Sequence, residues 1–321
     1  KNFHPDIKKW RFKYHLDSLV KNMRSAKAKK TINQIPMEYD VVLQIGSEFC
    51  LNDVNKFNNI PKFSYHDNNL IGYLKGAWSL PKLDKKVKEG LAYERRVYDG
   101  LTGIFTMTKY LRDIFINEFH IPKEKVHYVG FGHNLSSVPD EDKNYDGRTI
   151  LFVARHIFEQ KGGKVLLEAF SKLRKLIPDS RLILAGQELN INLPGVECMG
   201  FIDKTQGDGS QKLNDLYRRA SVFVLPSYNE AAGNVFVEAM SHKVPCIGSN
   251  CCAMPEIIVG NQCGYVVPPG DSDELAKKLY SILTDEVLMR EFGNNGYTAV
   301  QTIYNWDIVY NKVINIMARY V

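Results

Sequence analysis

Short apolar segments alternate with longer amphipathic segments along most of the chain, and the alternation starts again near its middle. The short segments are rich in β-branched and aromatic residues, which is typical of buried strands, and the longer ones repeat apolar positions at helical spacing. This pattern predicts an α/β fold with two doubly wound parallel-sheet domains. Strands are predicted at 40–46, 62–68, 103–108, 126–130, 150–154, 181–185, 196–200, 220–225, 244–248 and 265–267, and helices at 82–98, 109–119, 165–176, 213–220 and 273–283.

A polar segment at 136–148 breaks the alternation, and it is predicted to link the two domains. The predicted domains are 1–146 and 147–304. The tail, 305–321, has apolar residues at helical spacing, and it is predicted to form a terminal helix. Because the chain begins without methionine and its first recognisable strand comes late, the first domain is expected to lack an amino-terminal piece.

Length and composition indicate a globular protein. The 321 residues suffice for two domains that each bury a core, and 44% hydrophobic and 24% charged residues exclude wholesale disorder. No segment approaches the ~20 consecutive apolar residues of a membrane-spanning helix, and no signal peptide is recognisable, so a cytoplasmic protein is expected. The six cysteines show no C-x-x-C spacing, which favours free thiols; the adjacent pair Cys251 and Cys252 leaves a redox site as the alternative.

Positive charge is concentrated in residues 1–30, which contain ten Lys or Arg against two Asp. Apolar and aromatic residues are interleaved with these charges. Such a segment either contacts an anionic membrane surface peripherally or forms the solvated basic face of a domain helix. No nucleic-acid-binding module accompanies the charge, so no nucleic acid is expected as a partner.

The most informative segment is 226–240, P-S-Y-N-E-A-A-G-N-V-F-V-E-A-M, which follows a predicted buried strand and opens a predicted helix. Free backbone amides at Gly233 and Asn234 would favour an anion such as a diphosphate. Glu230 and Glu238 are eight positions apart, and as hydroxyl acceptors they suit a ribose on one side and a sugar on the other. The alternative is that Glu230 caps the helix and Glu238 is a solvated helix residue.

A second candidate site follows the first strand of the second domain, in A-R-H-I-F-E-Q-K-G-G at 154–163. Arg155 offers a bidentate fork and Lys161 a point charge, and the adjacent glycines allow close backbone approach. Together they could neutralise a diphosphate leaving group. The alternative is a pair of surface cations near a loop.

Residues 220–270 resemble the donor half of the family-4 retaining glycosyltransferases (glycosyl transferases group 1), which have the GT-B fold. The resemblance rests on P-S-Y-N-E, the E-x7-E spacing, E-A-M-S-H-K-V-P-C-I-G-S and P-E-I-I-V-G-N-Q-C-G-Y-V-V-P-P-G-D, in that order. It implies two Rossmann-like domains facing a cleft, with the acceptor side in 1–146, the nucleotide-sugar donor side in 147–304, and the helix at 305–321 completing the first domain.

The resemblance also implies residue roles. Arg155 and Lys161 match the family's R-x(5)-K-G pattern on the diphosphate, Glu238 would hold the ribose, and Glu230 the sugar. The base would be held largely by main chain after the strand at 196–200. The candidate donor-binding residues are Arg155, Lys161, Gly162, Met199, Phe201, Ile202, Glu230, Ala232, Gly233, Asn234, Val235 and Glu238. Arg155, Lys161 and Glu230 are also candidate catalytic residues.

In the first domain, His66 resembles the family's histidine that faces the sugar, and it is the fourth candidate catalytic residue. Asp67, Asn68 and His133 are candidates on the acceptor side. Nothing before Asp40 resembles the family's glycine-rich loop, so the first domain is expected to lack that loop and its strand.

The sequence therefore predicts a retaining hexosyltransferase that uses UDP, GDP or ADP sugars and a glycan or lipid-linked hydroxyl acceptor. Two cations and a helix N-terminus serve the leaving group, and no D-x-D pair stands at a predicted strand end, so no metal or other cofactor is expected. The alternatives are a non-catalytic nucleotide-sugar-binding protein and a nucleotide-sugar epimerase or phosphorylase on the same fold.

Overall fold

The structure is a computed structural model that describes residues 17–75, 85–134, 142–145, 147–155 and 157–321. The chain forms two compact units. Unit 1 comprises residues up to Gly130 together with Val309–Val321, and unit 2 comprises Phe131–Ile308. The boundary at Gly130 precedes the predicted linker 136–148, of which 136–141 and 146 lie outside the described residues. The predicted domain limits and their acceptor and donor roles stay predictions.

Unit 1 is built on a parallel sheet whose four described strands follow one another in chain order. Within the described ranges the sheet order is β1-β2-β3-β4, which places β1 at one end of the described strands. The strands are β1 (Val42–Ile45), β2 (Lys62–His66), β3 (Gly103–Thr106) and β4 (Val126–Tyr128). The helices are α1 (Ser18–Gln34), α2 (Leu70–Lys75), α3 (Lys85–Asp99) and α4 (Lys109–Asn117), with short 3-10 turns at Asn55–Phe57 and Lys123–Lys125.

The two faces of this sheet are covered by different parts of the chain. Because successive strand residues point to opposite faces, Phe63 and Tyr65 of β2 lie on one face, while Ser64 and His66 lie on the other. The His66 face packs against α3 and α4, where Tyr98 and Phe115 are fully buried. The opposite face packs against the last helix, through Val309, Val313 and Met317.

Basic residues 17–34 lie on a helix that packs on unit 1. Asp17 caps α1 by accepting from the amides of Leu19 and Val20. Arg24 forms an ion pair with Glu48, and the Ser25 and Tyr93 hydroxyls lie 2.9 Å apart. For these residues the interpretation as the basic face of a domain helix fits the contacts. Residues 1–16 of the predicted membrane-contact segment lie outside the described residues.

Unit 2 contains the larger sheet, in the order β10-β9-β8-β5-β6-β7. All described pairings are parallel. The strands are β5 (Thr149–Val153), β6 (Arg181–Ala185), β7 (Val196–Cys198), β8 (Val222–Leu225), β9 (Cys246–Ser249) and β10 (Gly264–Val267). The helices are α5 (Gly163–Leu173), α6 (Gly209–Arg219), α7 (Asn234–Ser241), α8 (Met254–Ile258), α9 (Ser272–Leu283), α10 (Glu286–Thr302) and α11 (Trp306–Met317), which continues into unit 1.

The strand order of unit 2 reverses direction beside β5. From β5 the chain proceeds to β6 and β7 on one side, and then returns to β8, β9 and β10 on the other. This is the doubly wound arrangement, in which ligands bind outside the carboxyl ends of the strands, at the point of reversal. In unit 2 that point lies between β5 and β8.

Among the described residues, no helix is both long and apolar enough to cross a membrane.

Candidate functional site

The loop after β5 and the loop after β8 are docked on each other at the reversal point. The Gln160 carbonyl accepts from the Tyr228 amide at 3.0 Å and from the Ser227 hydroxyl at 3.3 Å. Gly162 adopts a left-handed conformation with φ +78°, and a Cβ there would lie 2.0 Å from the Pro226 carbonyl oxygen. Glycine is therefore required at this position both by its φ and by the close approach of the second loop.

The docked loops bring Lys161 and Glu230 together. The Lys161 ammonium forms an ion pair with Glu230 Oε1, and it also lies 3.5 Å from the Asn229 carbonyl oxygen. Both side chains are mostly shielded, with exposed fractions of 28% for Lys161 and 14% for Glu230. Two of the predicted catalytic residues, 69 positions apart in the chain, are thus direct neighbours in unit 2.

Helix α7 begins directly after the Glu230 loop. Gly233 is its N-cap residue and has φ +65°. Glycine has no side chain with which to cap the helix, and the Glu230 carboxylate pairs with Lys161. The alternative in which Glu230 caps the helix therefore does not fit. The predicted residues Ala232, Asn234 and Val235 flank this helix start, where first-turn amides lack intrahelical partners and favour an anion.

Glu238 lies one turn into α7, and it is not a solvated helix residue. Its exposed fraction is 5%. The Lys204 ammonium contacts Glu238 Oε1 at 2.6 Å, and the Tyr217 hydroxyl donates to Glu238 Oε2 at 3.0 Å. The sequence interpretation did not include Lys204 or Tyr217. The helical spacing of Leu213, Leu216 and Tyr217 marks a buried face of α6, but it does not indicate which residue that face meets.

Arg155 and the loop after β7 form the opposite side of the same edge. The Arg155 guanidinium lies over the Phe201 ring, 5.3 Å from its centroid. The Phe201 amide donates to Glu188 Oε1 at 3.1 Å, which fixes the loop that carries the predicted residues Met199 and Ile202. Both the Phe201 ring and the Met199 side chain are exposed. Glu188 is a further residue of this edge that the sequence interpretation did not include.

The candidates of the first domain occupy different environments. His66 is completely buried, and its Nε2 lies 2.8 Å from the Ser64 hydroxyl. Burial lowers the pKa of His66 to about 4, although the Asn68 backbone opposes this, so the imidazole is neutral at physiological pH. Asp67 is exposed and Asn68 is half-buried. His133 belongs to unit 2, where its amide donates to the Tyr304 carbonyl at 3.0 Å.

The cysteine pair lies beside the Glu230 loop. The Cys251 thiol contacts the Ser227 carbonyl oxygen at 3.6 Å, and the Ala253 amide donates to the Glu230 carbonyl at 3.1 Å. A hydrogen bond with Cys252, together with burial, raises the pKa of Cys251. Because the thiolate is the reactive form, this environment disfavours the redox alternative.

Across the described ranges, no group of three or more His, Cys, Asp or Glu side chains could hold a metal ion. The prediction that the protein uses no metal stays a prediction.

The comparisons with solved structures concern the fold. Sucrose-phosphate synthase from Thermosynechococcus elongatus matches with a TM-score of 0.72 and 19% identity, over 94% of this chain and 78% of that one. WaaG, a glycosyltransferase involved in lipopolysaccharide biosynthesis, matches with a TM-score of 0.66 and 16% identity, over 91% and 81%. At these identities the likeness shows the fold, and it confirms the predicted GT-B class with two parallel-sheet domains.

The sequence comparisons concern the family. The phosphatidyl-myo-inositol mannosyltransferase of Mycobacterium leprae is 30% identical over 176 residues, which cover 53% of this chain and 46% of that protein. The capsular polysaccharide biosynthesis glycosyltransferase CapM of Staphylococcus aureus is 24% identical over 231 residues, or 66% and 60%. The chain thus spans about half the length of the curated relatives it matches.

The family description "Glycosyl transferases group 1" matches residues 137–299, just over half of the chain. The matched region includes the docked loops, the Lys161–Glu230 pair and helix α7. The chain therefore belongs to the glycosyl transferases group 1 family.

Proposed function

We propose that this protein is a retaining, metal-independent hexosyltransferase that moves a hexose from a nucleoside-diphosphate sugar to a hydroxyl acceptor. The observation that carries the proposal is the shielded pair of Lys161 and Glu230 beside the start of α7, at the sheet edge where doubly wound folds bind ligands. The cation and the helix N-terminus suit the diphosphate of such a donor, and the carboxylate suits the hydroxyls of its sugar.

The reaction breaks the bond between the anomeric carbon and the diphosphate oxygen, and it forms a bond from that carbon to the acceptor oxygen. The departing diphosphate oxygen takes the electron pair of the broken bond and with it a negative charge, and the proton of the acceptor hydroxyl passes to that diphosphate. In the proposed roles Arg155, Lys161 and the first amides of α7 stabilise that charge, each such donor contributing about 3 kcal/mol in a preorganised site. Lys161 exchanges its contact with Glu230 for the diphosphate, which leaves Glu230 for the sugar hydroxyls.

The nucleoside is assigned to the remaining groups of this edge. Glu238 accepts from the ribose hydroxyls, and the backbone at Met199, Phe201 and Ile202 borders the base. Similar folds have been solved with uridine nucleotides: Anabaena HepE with UDP and glucose has a TM-score of 0.69 and 15% identity, over 92% of this chain and 80% of that one. This similarity supports a nucleoside-diphosphate sugar as the donor. UDP, GDP and ADP sugars are all candidate donors.

The acceptor is proposed to be a glycan or a lipid-linked hydroxyl. Of the relatives, the phosphatidyl-myo-inositol mannosyltransferase is named for a lipid, and the capsular polysaccharide biosynthesis glycosyltransferase is named for a glycan. A peripheral contact with anionic lipid through residues 1–30 would suit a lipid-linked acceptor.

The test is a thermal-shift panel with UDP, GDP, ADP and their hexose conjugates, with and without EDTA, followed by incubation of the best donor with glycan and lipid acceptors. A ligand at one hundred times its Kd stabilises the folded state by about 2.7 kcal/mol, which gives a measurable shift. The expected result is a shift with one nucleotide that EDTA does not change and that Arg155→Ala abolishes. NMR of the product should show the donor's anomeric configuration.

Each alternative predicts a different result. A binding protein without activity would shift but transfer no labelled hexose to any acceptor. An epimerase would convert the labelled hexose without an acceptor, and a phosphorylase supplied with inorganic phosphate would release it as a sugar phosphate. If no nucleotide shifts the midpoint of thermal unfolding, the proposal of a nucleotide-sugar donor site is wrong.

A further inference from the structure

The Glu238 carboxylate is held by two side chains from outside its own helix. Tyr217 of α6 donates to Oε2 at 3.0 Å, and Lys204, from the loop after β7, donates to Oε1 at 2.6 Å. The main chain of Glu238 is anchored as well, because its carbonyl oxygen accepts from the Ser241 hydroxyl at 2.7 Å and from His242 Nδ1 at 2.9 Å. Both ends of the residue are therefore fixed.

The two partners of the carboxylate differ in their freedom to move. Tyr217 is completely buried, with its ring stacked on His242 at 5.2 Å and tilted against Phe223 at 6.0 Å. Burial, together with the Glu238 charge, raises the pKa of Tyr217 well above its usual range, so the hydroxyl keeps its proton and remains a donor. The Lys204 side chain is 46% exposed and can exchange its contact with solvent or a ligand.

We propose that Tyr217 is a positioning residue for ribose recognition. Its hydroxyl fixes Oε2 of Glu238, so that Oε1 is presented to the ribose 2′ and 3′ hydroxyls, which take the place of Lys204. This inference rests on the proposed role of Glu238 in donor binding, and it extends that role to a residue that does not touch the nucleotide.

The physical basis is rotation of the carboxylate. The terminal torsion of a glutamate side chain is broad, so a carboxylate without a second anchor samples orientations that do not suit the ribose. The Tyr217 hydrogen bond removes this freedom before the ligand arrives. Removal of the hydroxyl should therefore weaken only those ligands that carry ribose hydroxyls.

The experiment compares each nucleoside diphosphate (UDP, GDP and ADP) with its 2′,3′-dideoxy form by isothermal titration calorimetry. The ratio of the two Kd values measures ribose recognition. We expect a ratio of about ten or more in the wild type, as hydrogen bonds to a charged group give. Tyr217→Phe keeps the ring and should reduce this ratio several-fold, with dideoxynucleotide binding unchanged.

Three further variants make the comparison decisive. Glu238→Gln should bring the ratio close to one. Lys204→Met is the matched control, because Lys204 contacts Oε1 rather than Oε2, and it should leave the ratio at the wild-type value or raise it. Replacement of Tyr217 by 4-aminophenylalanine keeps a weaker donor and should give a ratio between those of the wild type and Tyr217→Phe. If Tyr217→Phe does not fold, the 4-aminophenylalanine variant provides the test. A ratio of Kd values equal to that of the wild type in this variant would overturn the inference.

The outcomes separate the inference from the function on which it rests. If Glu238→Gln leaves the ratio unchanged, the proposed ribose contact itself fails. If Glu238→Gln lowers the ratio but Tyr217→Phe does not, only the positioning role fails. Equal weakening of both nucleotide forms by Tyr217→Phe would assign Tyr217 a structural role alone and overturn the inference.

Discussion

Substitution of Gly162 tests whether the docking of the β5 and β8 loops builds the site. Gly162→Ala adds a methyl group to a residue with φ +78°, at a point 2.0 Å from the Pro226 carbonyl oxygen. Because backbone cannot move aside as a flexible side chain can, the loops must separate. The Gln160 carbonyl would then lose its bonds from Ser227 and Tyr228.

Gly207 provides a matched control in the same unit. It also has a left-handed conformation, with φ +54°, but a Cβ there would have no atom within 4 Å. The strain of a left-handed non-glycine residue costs about 1–2 kcal/mol, and it applies to both positions. Overpacking adds about 1–3 kcal/mol, and it applies to Gly162 alone. The two alanine variants should therefore differ by about 1–3 kcal/mol in unfolding free energy.

The assay is urea unfolding followed by far-UV circular dichroism, combined with the nucleotide thermal shift. Both glycines belong to unit 2, so both variants report on the same transition. Gly162→Ala should also lose the nucleotide shift, whereas Gly207→Ala should keep it. Equal destabilisation by the two substitutions, or full nucleotide binding by Gly162→Ala, would refute the reasoning.

Three other predictions follow from single contacts. Lys161→Met should weaken nucleotide binding about tenfold or more in calorimetry, whereas Lys164→Met, which breaks an exposed ion pair with Glu159, should have little effect. Burial lowers the pKa of His66 from 6.5 to about 4. As the pH falls, the unfolded chain therefore binds the proton at a higher pH than the folded protein does. His66 therefore contributes stability that is complete above pH 6.5 and lost as the pH falls toward 4, about 3 kcal/mol in all; NMR titration of the imidazole near pH 6.5 would contradict this. The raised pKa of Cys251 should make its alkylation at pH 8 at least about tenfold slower in the folded protein than in urea, by mass spectrometry.

The parallel-sheet fold was predictable because each strand carries its own signal. Apolar segments such as 181–185 are buried over nearly their whole length, and β6 begins and ends where the pattern predicts. Helix α10 was not predicted, since its middle contains Gly293, Asn294, Asn295 and Gly296, which are poor helix formers. A Cβ at Gly293 would lie 2.4 Å from the Lys243 carbonyl oxygen. The glycines thus serve close packing of two segments, and no local rule reveals that.

The arrangement of the candidate site was predictable only in part, because packing between distant segments again decides it. Motif spacing indicated Lys161, Glu230 and Glu238, because each follows or precedes a glycine-bearing turn. It could not identify Lys204 and Tyr217 as the partners of Glu238, since they lie 34 and 21 positions away and are brought there by the packing of α6 and the β7 loop. A buried carboxylate needs such partners, but its sequence context does not specify them.

Helix α11 determines the order in which the two units can be completed. Unit 1 contains both the early strands and residues Val309–Val321, and α11 covers the sheet face that carries Phe63, Tyr65 and Phe105. Every residue of unit 2 leaves the ribosome before this covering segment does. The unit that is synthesised first is thus completed last, and the apolar residues that α11 contacts must wait for this helix while the second unit already has all the residues it needs to fold.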